Sequence, residues 1–414
     1  MKTAFFLLHY PVFSETFVSK EILNLQNLGS DGLIVCEEEK NFLPHHPHIK
    51  EILFPIIEIS QKIFTRNFFE IISAHFYWFI KNPFTYLKLL KLLFLFFNFH
   101  HLRVFVKAPF LAKKIKNKDI DIIYVHEVDS PCLYGLICGK LLNIPCGIII
   151  HTQYLFSQNK YLATKIKYAD FIIFQSKYSL KQAQKITKLP KNIFLNKCHV
   201  LSSPGIDIKL FQPLENPKFP NQIRLITIGR LEEAKGYPYL LKAIKILKKS
   251  FPNILLTIVG DGSQKNVLER YIKKNNLEKN IHLLGFISHN PKLIKILHQH
   301  QYFILPSIID SQNIHDVHPN VIKEAMSTGL ITITSQLGGI TEIIKNSYNG
   351  FLIDKITPKN LTKHIKLIHL LSKAQKITIS QQARFTILKD HQQEYICSQL
   401  QQIFLNYINN NYAQ

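Results

Sequence analysis

The six cysteines of this 414-residue chain, Cys36, Cys132, Cys138, Cys146, Cys198 and Cys397, form no C-x-x-C pair and have no histidine at metal-ligand spacing. That disfavours both a zinc site and a disulfide framework, and points to buried free thiols in a reducing cytoplasm. Long apolar runs are missing too. In the most suspicious region the longest is Leu92 to Phe97, far short of the roughly 20 residues that cross a bilayer, so no transmembrane helix is expected. The start, Met1 to Pro11, carries one lysine and a short apolar run with no small-residue cleavage site after it. It reads as a buried first strand and not as a signal peptide. No internal repeat or low-complexity tract stands out. Acidic clusters with metal-ligand spacing are also lacking. Asp119-Ile120-Asp121 has the D-x-D form but precedes its strand instead of following it, so it reads as a solvated strand start, and neither a cofactor nor a metal is expected.

What is present is a folding chain with a large basic excess. Hydrophobic residues make up 46% and charged residues 19% of the sequence, which excludes a disordered or fibrous chain, and the length suits two domains. Lysine and arginine number 51 against 28 acids, a net charge of +23. Residues 60–118 alone hold 11 basic residues and one acid, nearly the whole excess of the first 200. The same segment is dense in Phe68, Phe69, Phe76, Tyr77, Trp78, Phe79 and leucines. Basic heads beside large apolar side chains suit an interfacial helix on an anionic leaflet. A pair of core helices with a solvated lysine face, marked by Lys88 and Lys91, is the other reading. The charge by itself also suggests nucleic acid, but the segment lacks any recognised nucleic-acid module, and no nucleic-acid partner is expected.

Strand-like runs alternate with helix-like segments in both halves, the pattern of parallel sheets covered by helices. Strands are expected at Thr3–Leu8, Gly32–Val35, Ile122–His126, Gly147–Ile150, Phe171–Phe174 and Cys198–Leu201. In the second half they are expected at Ile223–Ile228, Ile254–Val259, Ile281–Leu284, Tyr302–Leu305, Ile331–Thr334 and Phe351–Ile353. Helices fall between them, a complete doubly wound domain. Prolines and Gly205 mark a boundary near Pro204–Pro220. The expected division is 1–204, with a basic and aromatic helical insert at 60–118, then 205–375, then C-terminal helices over 376–414 returning toward the first domain.

The chemistry-bearing residues cluster at strand ends. Strand Ile223–Ile228 runs into Gly229-Arg230-Leu231-Glu232-Glu233-Ala234-Lys235-Gly236, which places two cations and two glycines where doubly wound folds bind ligands. Basic groups there neutralise a leaving diphosphate without a metal. Val259-Gly260-Asp261-Gly262, Leu284-Gly285-Phe286 and Leu305-Pro306-Ser307 follow at the ends of further strands. Pro319, at a helix N1 position, turns the free amides of a helix start toward the loop carrying Asp316, and Gly338-Gly339 precede another short helix.

These motifs resemble the family-4 retaining glycosyltransferases of the two-Rossmann (GT-B) fold. The opening His9-Tyr10-Pro11-Val12-Phe13-Ser14-Glu15-Thr16-Phe17-Val18 is similar to the colanic-acid and amylovoran-type exopolysaccharide enzymes among them. The resemblance implies two facing Rossmann-like domains and metal-independent transfer of a hexose from a UDP- or GDP-sugar. The implied acceptor is a saccharide or lipid-linked molecule at the anionic inner face of the cytoplasmic membrane. By the same resemblance, Arg230 and Lys235 bind the donor diphosphate, and Glu324 in Pro319-Asn320-Val321-Ile322-Lys323-Glu324 bonds the ribose. His151 faces the reacting carbon. Ser14, Glu15 and Thr16 make donor or acceptor contacts, and Gly229, Gly260, Gly285, Gly338 and Gly339 line the donor site. The family's first glutamate, seven residues before the second, falls on Asp316, and the glycine usual after it is Val317. His126, at another strand end, receives no catalytic role. The departures at Asp316 and Val317 leave a catalytically inactive binding or regulatory protein as the alternative.

Overall fold

The computed structural model describes residues 1–12, 16–39, 47–59, 67–95, 99–126, 130–151, 155, 161–215 and 219–412. The chain divides into two units, Met1–Pro204 with Ile396–Gln414, and Gly205–Tyr395.

The first unit holds a seven-stranded parallel sheet ordered β3-β2-β1-β4-β5-β6-β7. Its strands are β1 (Lys2–Tyr10), β2 (Asp31–Glu39), β3 (Ile56–Glu58), β4 (Ile122–His126), β5 (Cys146–Ile150), β6 (Phe171–Phe174) and β7 (Cys198–Val200). Alternate side chains of β1 enter separate cores, as the two-residue period of a strand requires. Ala4 and Phe6 join the cluster containing Trp78, Val104 and Ala108, while Phe5 and Leu7 join one containing Ile22, Leu400 and Phe404. The second cluster exists because Ile396, Leu400, Phe404 and Ile408 recur every fourth residue on the last helix, Gln393–Tyr412. The preceding helix, Lys373–Asp390, stays in the second unit, where the Arg384 guanidinium donates to the carbonyls of Phe211, Ile208 and Ser327. Strand β3 had no sequence signal: three residues after Pro55 become a strand only by pairing Ile56 with Ile34 and Ile57 with Val35.

The second unit is a six-stranded parallel sheet, β10-β9-β8-β11-β12-β13. Here β8 is Arg224–Ile228, β9 Leu255–Val259, β10 Ile281–Leu283, β11 Tyr302–Leu305, β12 Ile331–Ser335 and β13 Phe351–Ile353. Both sheets reverse their winding direction once, between β1 and β4 and between β8 and β11. A crevice opens beyond the carboxyl ends of the strands at such a point, and ligands of doubly wound folds bind there. All six cysteines are free, five of them buried. Among the described residues no helix is long and apolar enough to cross a membrane.

Candidate active site

The switch point between β8 and β11 gathers most of the residues singled out in the second unit. After β8 the chain passes Gly229, whose φ of 159° is extended, and its amide donates to the Val259 carbonyl at 3.0 Å. The Gly260 amide in turn donates to the Gly285 carbonyl at 2.8 Å, so the loops after β8, β9 and β10 are stitched edge to edge. A Cβ on Gly260 would lie 1.9 Å from the Gly229 carbonyl oxygen, so that approach requires glycine. The loop then folds back: Gly236, at φ 67°, packs so closely on Pro306 that a Cβ would sit 2.0 Å from its carbonyl oxygen. The Ile308 amide donates to the Ala234 carbonyl at 2.8 Å. This seam carries Lys235 to the loop after β11.

Lys235 meets Asp316 there. Its Nζ donates to both carboxylate oxygens, at 2.6 and 2.9 Å, and the Ser307 hydroxyl donates to Oδ2 at 2.5 Å. Asp316 is brought back by a turn over residues 310–314, in which the Asp310 carboxylate accepts the amides of Gln312 and Ile314. The neighbouring Tyr237 hydroxyl donates to the Gly229 carbonyl at 3.1 Å. Burial, and then the charge of Asp316, raise its pKa well above the ordinary phenol value, so it remains a donor. Arg230 behaves differently: its side chain is mostly exposed and touches Glu232 at 3.1 Å.

Glu324 lies on the helix Asn320–Ser327 and is buried, with the His289 Nε2 at 3.2 and 3.3 Å from its two oxygens. Pro319 stands at the N-cap of this helix, one position before the N1 place expected from the sequence. Val317 is buried beside Gly338, whose φ of 54° favours glycine; a Cβ there would stand 3.4 Å from Val317, an ordinary packing distance. Gly339 caps the short helix Ile340–Ile343, where the Ile340 and Glu342 amides bond back to Leu337 and Gly339.

In the first unit His151 directly follows β5 and is buried beside His126, which ends β4. Burial, then the neighbouring His126, push its pKa down to about 3, against a hydrogen bond with Gln175. His151 is therefore a neutral imidazole at neutral pH. Ser14 and Glu15 lie outside the described residues, as does the side chain of Thr16, whose backbone opens the helix Thr16–Asn27. Asp121 of the D-x-D tripeptide accepts the Lys2 amide at 2.7 Å, a use within the sheet. Ser307, His289 and Tyr237 were not singled out from sequence. Ser307 lay inside a strand-end motif, whereas a lone histidine in the loop after β10 carries no local signal.

Residues 210–384 match the family Glycosyl transferases group 1. The second unit carries a group 1 glycosyltransferase domain. Its match agrees with the family-4 resemblance of the strand-end motifs. The chain is 29% identical over 264 residues to an Escherichia coli UDP-Gal:alpha-D-GlcNAc-diphosphoundecaprenol alpha-1,3-galactosyltransferase, covering 59% of this chain and 65% of that protein. It is 30% identical to the amylovoran biosynthesis glycosyltransferase AmsK of Erwinia amylovora, over 35% of this chain and 34% of that one. The chain thus spans less than two thirds of the length of either of these two relatives. Among solved structures, Anabaena HepE in complex with UDP-glucose superposes with a TM-score of 0.69 at 16% identity, covering 98% of this chain and 100% of that one. That likeness establishes the GT-B fold, with two Rossmann-like domains, around the group 1 domain.

Proposed function

We propose that the chain is a metal-independent, retaining hexosyltransferase of exopolysaccharide or lipopolysaccharide assembly, using a UDP- or GDP-sugar donor and a saccharide or lipid-linked acceptor. The observation that carries the reading is the Lys235–Asp316–Ser307 constellation, seated at the switch point of a domain that matches group 1 glycosyltransferases. As the glycosidic C–O bond breaks, negative charge grows on the departing diphosphate. Lys235 and the exposed Arg230 supply fixed positive charge for it, which stabilises the transition state more than the ground state. Glu324 binds the ribose, and Gly229, Gly260, Gly285, Gly338 and Gly339 form the backbone wall of the donor site. His151 serves the transfer step from the first unit, with Ser14, Glu15 and Thr16 as further contacts. Asp316 holds Lys235 in place as well as meeting the sugar, because both of its oxygens already accept from the ammonium. The first unit, residues 1–204, is the acceptor side and 205–375 the nucleotide-sugar side. Relatives named for amylovoran and for a diphosphoundecaprenol-linked acceptor support this class of product. No observation favours an inactive protein.

The same reading puts the chain at the inner face of the cytoplasmic membrane, held by its basic and aromatic segment. The helix Phe68–Lys81 buries Ile71, Ala74 and Trp78, yet Phe69, Phe76 and Ile80 on its other side are exposed at 84%, 64% and 77%. A lysine-faced core helix would not present aromatics to water, so this pattern supports the interfacial reading.

The deciding experiment measures release of UDP or GDP from a panel of nucleotide-sugars, with and without a polyprenol-diphosphate-linked sugar as acceptor. Acceptor-dependent release from one donor, with product of unchanged anomeric configuration, is expected. No release from any donor would return the chain to the binding-protein reading.

A further inference from the structure

The switch point of the first unit holds a buried acid–imidazole–imidazole chain. Glu21 projects from the helix Thr16–Asn27, and both Glu21 and His126 are 1% exposed. The Glu21 Oε1 lies 3.1 Å from His126 Nε2, and His126 Nδ1 lies 3.4 Å from His151 Nε2. The two imidazoles stack at 5.6 Å between centroids with 22° between planes. Phe17, from the same helix as Glu21, closes on His151 at 4.8 Å, and Tyr124 stands edge-on to His126 at 5.0 Å.

Burying a carboxylate against two imidazoles is costly compared with an apolar trio of the same volume, so packing alone gives no reason for it. We infer that Glu21 and His126 are positioning residues that fix the tautomer and the ring orientation of His151. This rests on the reading that His151 serves the transfer step. The physical argument runs along the chain. A bare lone pair on His126 Nε2 would oppose the Glu21 oxygen 3.1 Å away, in a place closed to bulk solvent. The Nε2–Glu21 contact is bent away from hydrogen-bond alignment, yet the charge at that distance still draws a proton to Nε2. With its proton on Nε2, the His126 ring offers Nδ1 as an acceptor. His151 turns its single Nε2–H toward that acceptor in preference to the Gln175 side chain, and so keeps a lone pair on Nδ1. A substrate hydroxyl at His151 is thereby met by an acceptor and not by a donor.

The test is imidazole ¹⁵N spectroscopy of histidine-labelled protein together with steady-state kinetics. In the wild type, His126 and His151 should both be protonated at Nε2 and bare at Nδ1. Glu21→Gln removes the charge and keeps the shape; its carboxamide can donate to Nε2, so both rings should shift to the Nδ1–H tautomer. Turnover should then fall about 100-fold, with donor KM within about twofold, as for a misplaced acid–base group. Pairing Glu21→Gln with His151→Ala should cost no more than His151→Ala alone. A wild-type His126 bare at Nε2, or an unchanged His151 tautomer in Glu21→Gln, would overturn the inference. The wild-type spectrum decides even if the variant does not fold. Full turnover in His151→Ala would overturn the role of His151, while the tautomer measurement still judges the chain of contacts.

Discussion

At the scale of single residues, if Lys235 meets the donor diphosphate as proposed, its pairing with Asp316 should make binding and turnover respond oppositely to one change. The carboxylate cancels much of the ammonium charge at rest and also holds it in place. Asp316→Asn should therefore strengthen UDP or GDP binding, by up to about tenfold for one released charge contact. The same variant should slow transfer on the order of 100-fold, because the freed ammonium no longer sits where the leaving group needs it. Titration calorimetry with the diphosphate and single-turnover kinetics read the two effects apart; unchanged values of both would remove Asp316 from the site. Lys235→Ala should lose on both counts, since it leaves the carboxylate facing the phosphates. His300 supplies a residue-level test of stability. Its Nδ1–H donates to the Ile296 carbonyl at 2.7 Å and its Nε2 lies 2.8 Å from the Thr257 hydroxyl, while burial pushes its pKa down to about 4. The unfolded chain, near 6.5, binds that proton more readily. The contribution is therefore complete above about pH 6.5 and fades as pH falls toward 4, by up to tenfold in the folded-to-unfolded ratio per unit. The urea midpoint of His300→Gln should fall less between pH 7 and pH 5 than that of the wild type, and equal falls would contradict this.

At the scale of elements, the glycine loops after β8, β9 and β10 act as one body because their backbones touch. A Cβ at Gly260 would meet the Gly229 carbonyl oxygen at 1.9 Å, and its φ of 146° disfavours any L side chain. Gly260→Ala should cost on the order of 2–3 kcal/mol in chemical denaturation and weaken diphosphate binding as the Gly229 loop is displaced; a stable variant with full affinity would show that the loops move independently. These elements were legible in sequence because strand, glycine and helix follow one another locally: Ile122–His126, Phe171–Phe174, Tyr302–Leu305 and Phe351–Ile353 begin and end at the residues read from pattern. What was not legible depends on distant partners. Strand β3 exists through β2, and Lys235 finds Asp316 across 81 residues of chain. Glu21, on the helix after β1, meets His126 at the end of β4, the strand that pairs with β1, although the two residues are separated in sequence by the whole basic insert. Composition and periodicity carry no record of such pairs.

At the scale of the whole molecule, the proposed membrane attachment would draw on the net charge of +23 and on the exposed aromatics through terms that can be separated. Electrostatic attraction to anionic lipid falls with salt, whereas burial of Phe69, Ile80 and Phe84, exposed at 84%, 77% and 79%, does not. The two lie side by side. Lys113 and Lys116 reach back to the helix Phe68–Lys81, donating to the Ser73 hydroxyl at 3.1 Å and to the Tyr77 hydroxyl at 2.7 Å. Lys88 and Lys91 are exposed on the helix Pro83–Leu95. Neither signal suffices for stable attachment, since a few inserted rings or a few lysines each give only marginal binding. Replacing Lys88, Lys91, Lys113, Lys114 and Lys116 with glutamine should abolish the preference for vesicles containing phosphatidylglycerol, each removed charge being worth on the order of 1 kcal/mol near the surface. Replacing Phe69, Ile80 and Phe84 with serine should leave that preference and its salt dependence in place while lowering binding at every salt concentration. Co-sedimentation across a salt series distinguishes these patterns. If the lysine variant binds anionic vesicles as the wild type does, the excess charge serves solubility and not attachment.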